Sequence, residues 1–222
     1  MTVFQPDVVP IFATPFGVVS VPDAEATNKV VAELFARRAT PEYCDPAVQQ
    51  APAFRSRDDL LNWDDDSIRI LTSGIMGAAI SVVRSINDFS DEQFAALRLQ
   101  ARAWFTIVRE NGYVPPSNYP NTAWCAIYCV AAPEAPLLRV DSGVLRLHES
   151  LRGTMFSDAT NSATHMPYLP GHSSWRPVPG EVAVFPASVT HEIALQRSAG
   201  ALVLVTALLR FLGPQQTGTP WW

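Results

Sequence analysis

Lysine is nearly missing from this chain. Lys29 is the only one, and arginine supplies the rest of the 16 basic residues. Against 21 Asp and Glu they leave a formal net charge of -5. A nucleic-acid binder presents a basic face, so this balance argues against such a partner. Cysteine is scarce too: Cys44, Cys125 and Cys129 are odd in number and irregularly spaced, which excludes a disulfide framework. Cys125 and Cys129 share one face of a predicted strand but lie too far apart along it to bridge, so they read as small buried side chains. The first ten residues lack a basic stretch followed by an apolar run, so no secretory signal is expected. No uninterrupted apolar run has the length of a bilayer. The expectation is a cytoplasmic protein with a small-molecule partner and neither nucleic acid nor membrane. The chain also lacks a Walker loop, a G-x-S-x-G elbow, a C-x-x-C pair and an H-E-x-x-H motif. Histidine is limited to His148, His165, His172 and His191, so a site built on imidazole draws on these.

What is present suffices for a core: 222 residues at 48% hydrophobic composition need no metal or disulfide staple. Residues 8–21 are apolar but punctuated by Pro10, Pro15 and Gly17, which reads as a bent first strand. Asp23 precedes a helical pattern over Ala24–Arg38, with Val30, Val31, Leu34 and Phe35 on one face. A polar connection follows, holding Pro41, Pro46 and Pro52 and closing on Asp64-Asp65-Asp66, a run placed to cap a helix. Ser67–Ile86 reads as that helix. Ser90–Ala103 reads as a third, because Ser90 and Gln93 form a capping box, Phe89 and Phe94 a hydrophobic staple, and Phe94, Leu97 and Ala101 recur at helical spacing. From Trp104 the period changes to two. Strands are predicted at residues 104–108, 123–131, 143–148, 181–185 and 202–211.

Helices first and strands afterwards predict an α+β, mainly β fold. Residues 1–213 would form one domain, with a helical part at about 1–103 packed outside an antiparallel barrel at about 104–211. The tail, 214–222, ends in Trp221 and Trp222. Two terminal tryptophans are costly to leave in water, so they would dock on the body or on a second copy of the chain, giving a homodimer.

One segment carries more than secondary structure. Val178-Pro179-Gly180-Glu181-Val182-Ala183-Val184-Phe185-Pro186 is a turn, a buried strand and a stop, and His191 follows. This resembles the distal-histidine segment of the Fe(II)/2-oxoglutarate oxygenases. Residues 104–130 are similar to a family of small 2-oxoglutarate/Fe(II) oxygenases whose pattern runs from a tryptophan strand through a Gly-Tyr turn to H-x-H-P and a strand S-G-V-Y-Y-V. Trp104, Gly112, Tyr113, Pro116, Pro120, Tyr128 and Val130 fall in register with it. Gly143-Val144-Leu145-Arg146-Leu147-His148-Glu149 resembles the next strand, and Val9–Phe16 the family's start.

The resemblance implies a double-stranded β-helix (jelly roll), with Fe(II) and 2-oxoglutarate as cofactors. It also implies His191 as a metal ligand. The departures are specific. Ser117-Asn118-Tyr119 replaces H-x-H, and the strand 200–206 lacks the basic side chain that would anchor 2-oxoglutarate. His148 and Glu149 are the candidate replacement ligands, Arg197 the candidate anchor, and Tyr119, His148 and Arg146 the candidate catalytic groups. Tyr119, His148 and His191 are expected to share one cavity under a long loop, residues 152–175, acting as a lid. Three readings follow: an oxygenase with an atypical metal site, oxidising a small organic substrate; a repurposed barrel, without cofactors, catalysing a metal-free cyclisation, isomerisation or elimination; or a binding protein without chemistry.

Overall fold

The computed structural model describes residues 13–48, 52–136, 140–148 and 171–214. Its elements run β1 (Gly17–Ser20), α1 (Ala24–Arg38), β2 (Phe54–Arg55), α2 (Asp66–Ser85), α3 (Asp91–Ala95), β3 (Arg98–Arg109), β4 (Val114–Ser117), β5 (Trp124–Ala131), β6 (Leu145–His148), β7 (His172–Trp175), β8 (Glu181–Pro186), β9 (Thr190–Ile193) and β10 (Ala201–Leu212). They form a six-stranded sheet, ordered β1-β8-β5-β10-β3-β2, and a four-stranded sheet, ordered β4-β9-β6-β7. The strand pairings are antiparallel. This is a double-stranded β-helix, mainly β with helices on one side, as the sequence predicts.

The alternation of β3 divides the interior in two. Successive side chains of a strand point to opposite faces. Trp104 therefore joins the core between the sheets, with Ile127, Leu147, Phe185, Ile193 and Leu204. Phe105 joins the core beneath the helices, with Val31, Phe35, Ile68, Ile75, Tyr128 and Val205. Phe35 and Phe105 stack with ring centres 4.1 Å apart, a contact typically worth about 1 kcal/mol beyond its burial. Tyr128 Oη donates a buried 2.6 Å hydrogen bond to Asn28 Oδ1, tying α1 to β5. Cys125 and Cys129 are buried free thiols. Burial pushes both upward, Cys129 to about 12.

Asp65 caps α2, accepting from the backbone N–H of Ser67 at 2.9 Å and of Ile68 at 3.3 Å. The helix is long and apolar enough, by length and composition alone, to cross a membrane. In this fold Ile68, Leu71, Ile75, Ala78, Ala79 and Val83 form its buried side.

The third helix differs from expectation. The Ser90–Gln93 capping box forms, but α3 closes at Ala95 and the chain enters β3 at Arg98. β10 pairs with β3 over twelve residues, from Ala201↔Arg109 to Leu212↔Arg98. That ladder outweighs the local helical spacing of Leu97 and Ala101. Phe89 stays 48% exposed, while Phe94 packs on Phe211 with ring centres 5.6 Å apart. Residues 1–12, Glu149, His165, most of the expected lid, and the terminal Trp221 and Trp222 lie outside the described residues.

Candidate active site

Between the two sheets lies a cavity of about 170 Å³. The large sheet supplies one wall. Arg55 pairs with Thr106, Thr106 with Leu204, Trp104 with Thr206, and Thr206 with Ile127. Directly paired residues share a face, and all six of these side chains line the cavity. The small sheet supplies Val114, Ser117, His191 and Ile193, and the segment after β4 supplies Tyr119. Tyr119 is held by its backbone N–H, which donates to the Ala187 carbonyl at 2.8 Å.

The polar groups have defined states. His191 is 5% exposed, and its Nδ1 lies 2.9 Å from the Val189 carbonyl. Burial lowers its pKa below the ordinary value, opposed by that carbonyl and helped by His148. A neutral imidazole facing a carbonyl through Nδ1 carries its proton there, which leaves the Nε2 lone pair available. Tyr119 lies beside it, ring centres 5.6 Å apart, and packs edge-on against Trp104 at 5.5 Å. Burial raises the Tyr119 phenol above its ordinary value, Cys125 adds to this, and Arg55 and Ser117 oppose it. The site thus pairs a neutral imidazole with a protonated phenol, in apolar surroundings that include Phe185, 5.0 Å from the His191 ring.

Of the residues singled out from the sequence, the structure brings Tyr119 and His191 together. It separates the others. In the β6–β9 pair Leu147 lies opposite His191, so Arg146 and His148, opposite Glu192 and Thr190, take the outer face. Arg146 there bridges Glu192 at 3.2 Å and Asp141 at 3.1 Å, and His148 Nε2 lies 3.6 Å from Glu192. The expectation that His148 shares the His191 cavity fails by one residue of strand parity, and with it the pairing of His148 and His191 around one metal. Arg197 is exposed in the turn before β10 and does not line the cavity. Its backbone N–H donates to Ser142 Oγ at 2.8 Å, so the turn is held at Ser142 and does not fold inward. Asn118 also faces away, toward the Ser188 carbonyl at 3.4 Å.

Sequence reasoning missed Arg55. It sits on a two-residue strand in a proline-broken connection, where no period exists to be read. Its guanidinium carbon lies 4.1 Å from the centre of the Trp104 ring, and its Nε lies 3.5 Å from Asp45 Oδ2.

The jelly-roll fold raises the question of iron. The donors lining the cavity are one imidazole, the phenols of Tyr113 and Tyr119 and the hydroxyls of Ser117, Thr106 and Thr206, with no carboxylate among the described residues. A facial triad needs two imidazoles and a carboxylate on one side of the metal. Among the described residues no group of three His, Cys, Asp or Glu side chains converges. These residues do not fit Fe(II).

No protein-family model matches the chain, and no curated protein matches it in sequence. Solved structures do match in fold. A prolyl-4-hydroxylase from Pseudomonas putida superposes with a TM-score of 0.58 at 14% identity, covering 89% of this chain and 93% of that one. HygX from Streptomyces hygroscopicus, solved with nickel and 2-oxoglutarate bound, gives 0.58 at 12% identity over 91% and 84%. The α-ketoglutarate-dependent epimerase SnoN from nogalamycin biosynthesis gives 0.57 at 14% over 89% and 76%. The chain has the fold of the 2-oxoglutarate/Fe(II) oxygenases, at low identity.

Proposed function

We propose that this protein is an enzyme on the oxygenase fold that moves protons on a small organic substrate without a metal. The observation that carries the reading is that His191 and Tyr119 lie side by side, ring centres 5.6 Å apart, in a cavity lined by no carboxylate among the described residues, where burial favours the neutral form of each. His191 Nε2 accepts a proton from a carbon acidified by a neighbouring carbonyl. The electron pair moves onto the carbonyl oxygen, and the Tyr119 hydroxyl donates to it. Reprotonation at another carbon completes an isomerisation, and departure of a leaving group an elimination. Neither outcome needs an oxidant or a reductant.

The test is deuterium exchange into C–H acids, with chelator present and NMR as the readout. Suitable probes are 2-oxo acids, 3-oxo acids and enones. The expected result is incorporation that chelator leaves intact and His191→Gln abolishes. No exchange into any probe overturns the reading.

A second reading, oxidation of a small substrate with Fe(II) and 2-oxoglutarate, is supported by the fold neighbour solved with nickel and 2-oxoglutarate. It requires metal ligands beyond the described residues, Glu149 among them. Succinate formation that depends on Fe(II) and on His191 would establish it in place of the first.

A further inference from the structure

We infer that Arg55 anchors a carboxylate, and that the cavity takes a small monocarboxylate whose apolar body lies along Trp104, Ile127, Leu204 and Ile193. The inference names a substrate class for the proposed proton-transfer site and rests on that reading for the role of His191. The binding itself is independent of any reaction.

Arg55 is the one cation among the described residues lining the cavity, and no acidic residue lines it. Its hydrogen-bonding capacity is unused. Nε is buried without a hydrogen bond, because Asp45 Oδ2 stands 3.5 Å away while the other oxygen of that carboxylate accepts from the Ala47 backbone N–H at 2.9 Å. Nη1 and Nη2 make no hydrogen bond among the described residues. Asp45 balances part of the charge as an ion pair without a hydrogen bond, and the open donors of this half-buried guanidinium remain costly until an acceptor meets them. Arg offers a planar pair of donors that matches a carboxylate in two-point contact. The Trp104 face holds the group over the cavity.

The surroundings set the rest of the ligand. Next to Arg55 on the wall come Thr106 and then Leu204, so polar contact fades within two strands. Beyond them the walls are Trp104, Ile127 and Ile193, with the Thr206 hydroxyl as the uncharged polar group between the first two. A second carboxylate on the ligand would find no cation there. The arrangement therefore favours one charge and an apolar body over a dicarboxylate.

Isocaproate, its primary amide isocaproamide, and 2-oxoglutarate are titrated into the chelator-treated protein. The Arg55 Nε–H resonance is followed by NMR. Isocaproate is expected to shift that resonance and to bind at least ~10-fold more tightly than the amide, as a charge-assisted pair does. The advantage should vanish in Arg55→Gln, survive in part in Arg55→Lys, and persist in His191→Gln. 2-Oxoglutarate should bind more weakly than isocaproate. Equal affinity of acid and amide overturns the inference. So does an unchanged advantage in Arg55→Gln, or no Arg55 shift with isocaproate. If Arg55→Gln fails to fold, the wild-type comparison of acid and amide still decides. Loss of deuterium exchange with the carboxylate preference kept would refute the proton-transfer reading and leave the anchor standing.

Discussion

Leu147 stands directly opposite His191 in the pair of β6 with β9, and the two side chains share the face that looks between the sheets. Arg146, His148 and Glu192 are thereby turned to the outside, where Arg146 joins Glu192 to Asp141. His148→Ala should leave the carboxylate titration unchanged and retain the exchange reaction, moving only its pH dependence slightly upward through His191. It should alter stability by no more than about 1 kcal/mol, since the side chain is partly exposed and its buried Nε2 makes no hydrogen bond. His191→Gln should abolish exchange. Urea unfolding and the NMR exchange assay on the two variants separate the roles. Equal loss in both would place His148 in the chemistry.

Burial lowers the pKa of His191 below its ordinary value of 6.5. The unfolded chain therefore binds a proton at this position before the folded one does. Stability attached to neutral His191 is present above the unfolded value and is lost as pH falls below it. The loss stops once pH passes the folded pKa. Between the two values the slope from one group approaches ~1.4 kcal/mol per pH unit. Chemical unfolding at a series of pH values from neutral to mildly acidic should show a steeper fall in wild type than in His191→Gln. Parallel curves would mean that the buried imidazole does not titrate on unfolding.

Tyr128→Phe leaves Asn28 Oδ1 without its 2.6 Å donor in a buried setting. A loss of about 1–3 kcal/mol is expected, since a buried acceptor stays desolvated. Adding Asn28→Ala should cost less in Tyr128→Phe than in wild type. A double-mutant cycle by urea unfolding measures that coupling, and additive losses would show that the bond contributes nothing specific.

Long periodic segments were legible in the sequence. The first helix runs from Ala24 to Arg38 as its apolar spacing predicts, and Asp65 caps the second. The strands predicted from Trp104 onward overlap β3, β5, β6, β8 and β10, although β3 begins earlier, at Arg98. What spacing cannot show is which partner a segment finds. Leu97 and Ala101 recur at helical intervals, yet Ala101 pairs with Leu209 of β10. The strands β2, β4, β7 and β9 span only two to four residues each, too few to display a period. The same limit governs the site. Tyr119 and His191 were found from motif spacing. His148 was misassigned because one step along a strand exchanges inside for outside. Arg55 reaches the cavity only through a pairing with β3 across fifty residues of sequence.

The positions from which the oxygenase pattern would draw its ligands still converge. Ser117 and His191 are direct Cα partners across β4 and β9, and the Tyr119 ring lies beside the His191 ring. What departs from the pattern is the side chains at 117 and 119. Imidazole is a good ligand for nickel and cobalt, and three of them make a recognised coordination set. The double substitution Ser117→His with Tyr119→His should therefore build a metal site on this backbone. Imidazole is smaller than phenol, so some packing against Trp104 is lost, at a cost of roughly 1–3 kcal/mol. Metal binding offsets that loss, because a ligand that binds only the folded state raises apparent stability. Ni(II) should bind one equivalent at least ~100-fold more tightly than to wild type, a gain of about 2.7 kcal/mol. The thermal midpoint of the double variant should rise with Ni(II), and that of wild type should stay put. Adding His191→Ala should remove the effect. Calorimetric titration and thermal melts decide the matter. A folded double variant with no gain in nickel affinity would show that residues 117, 119 and 191 do not aim at a common point.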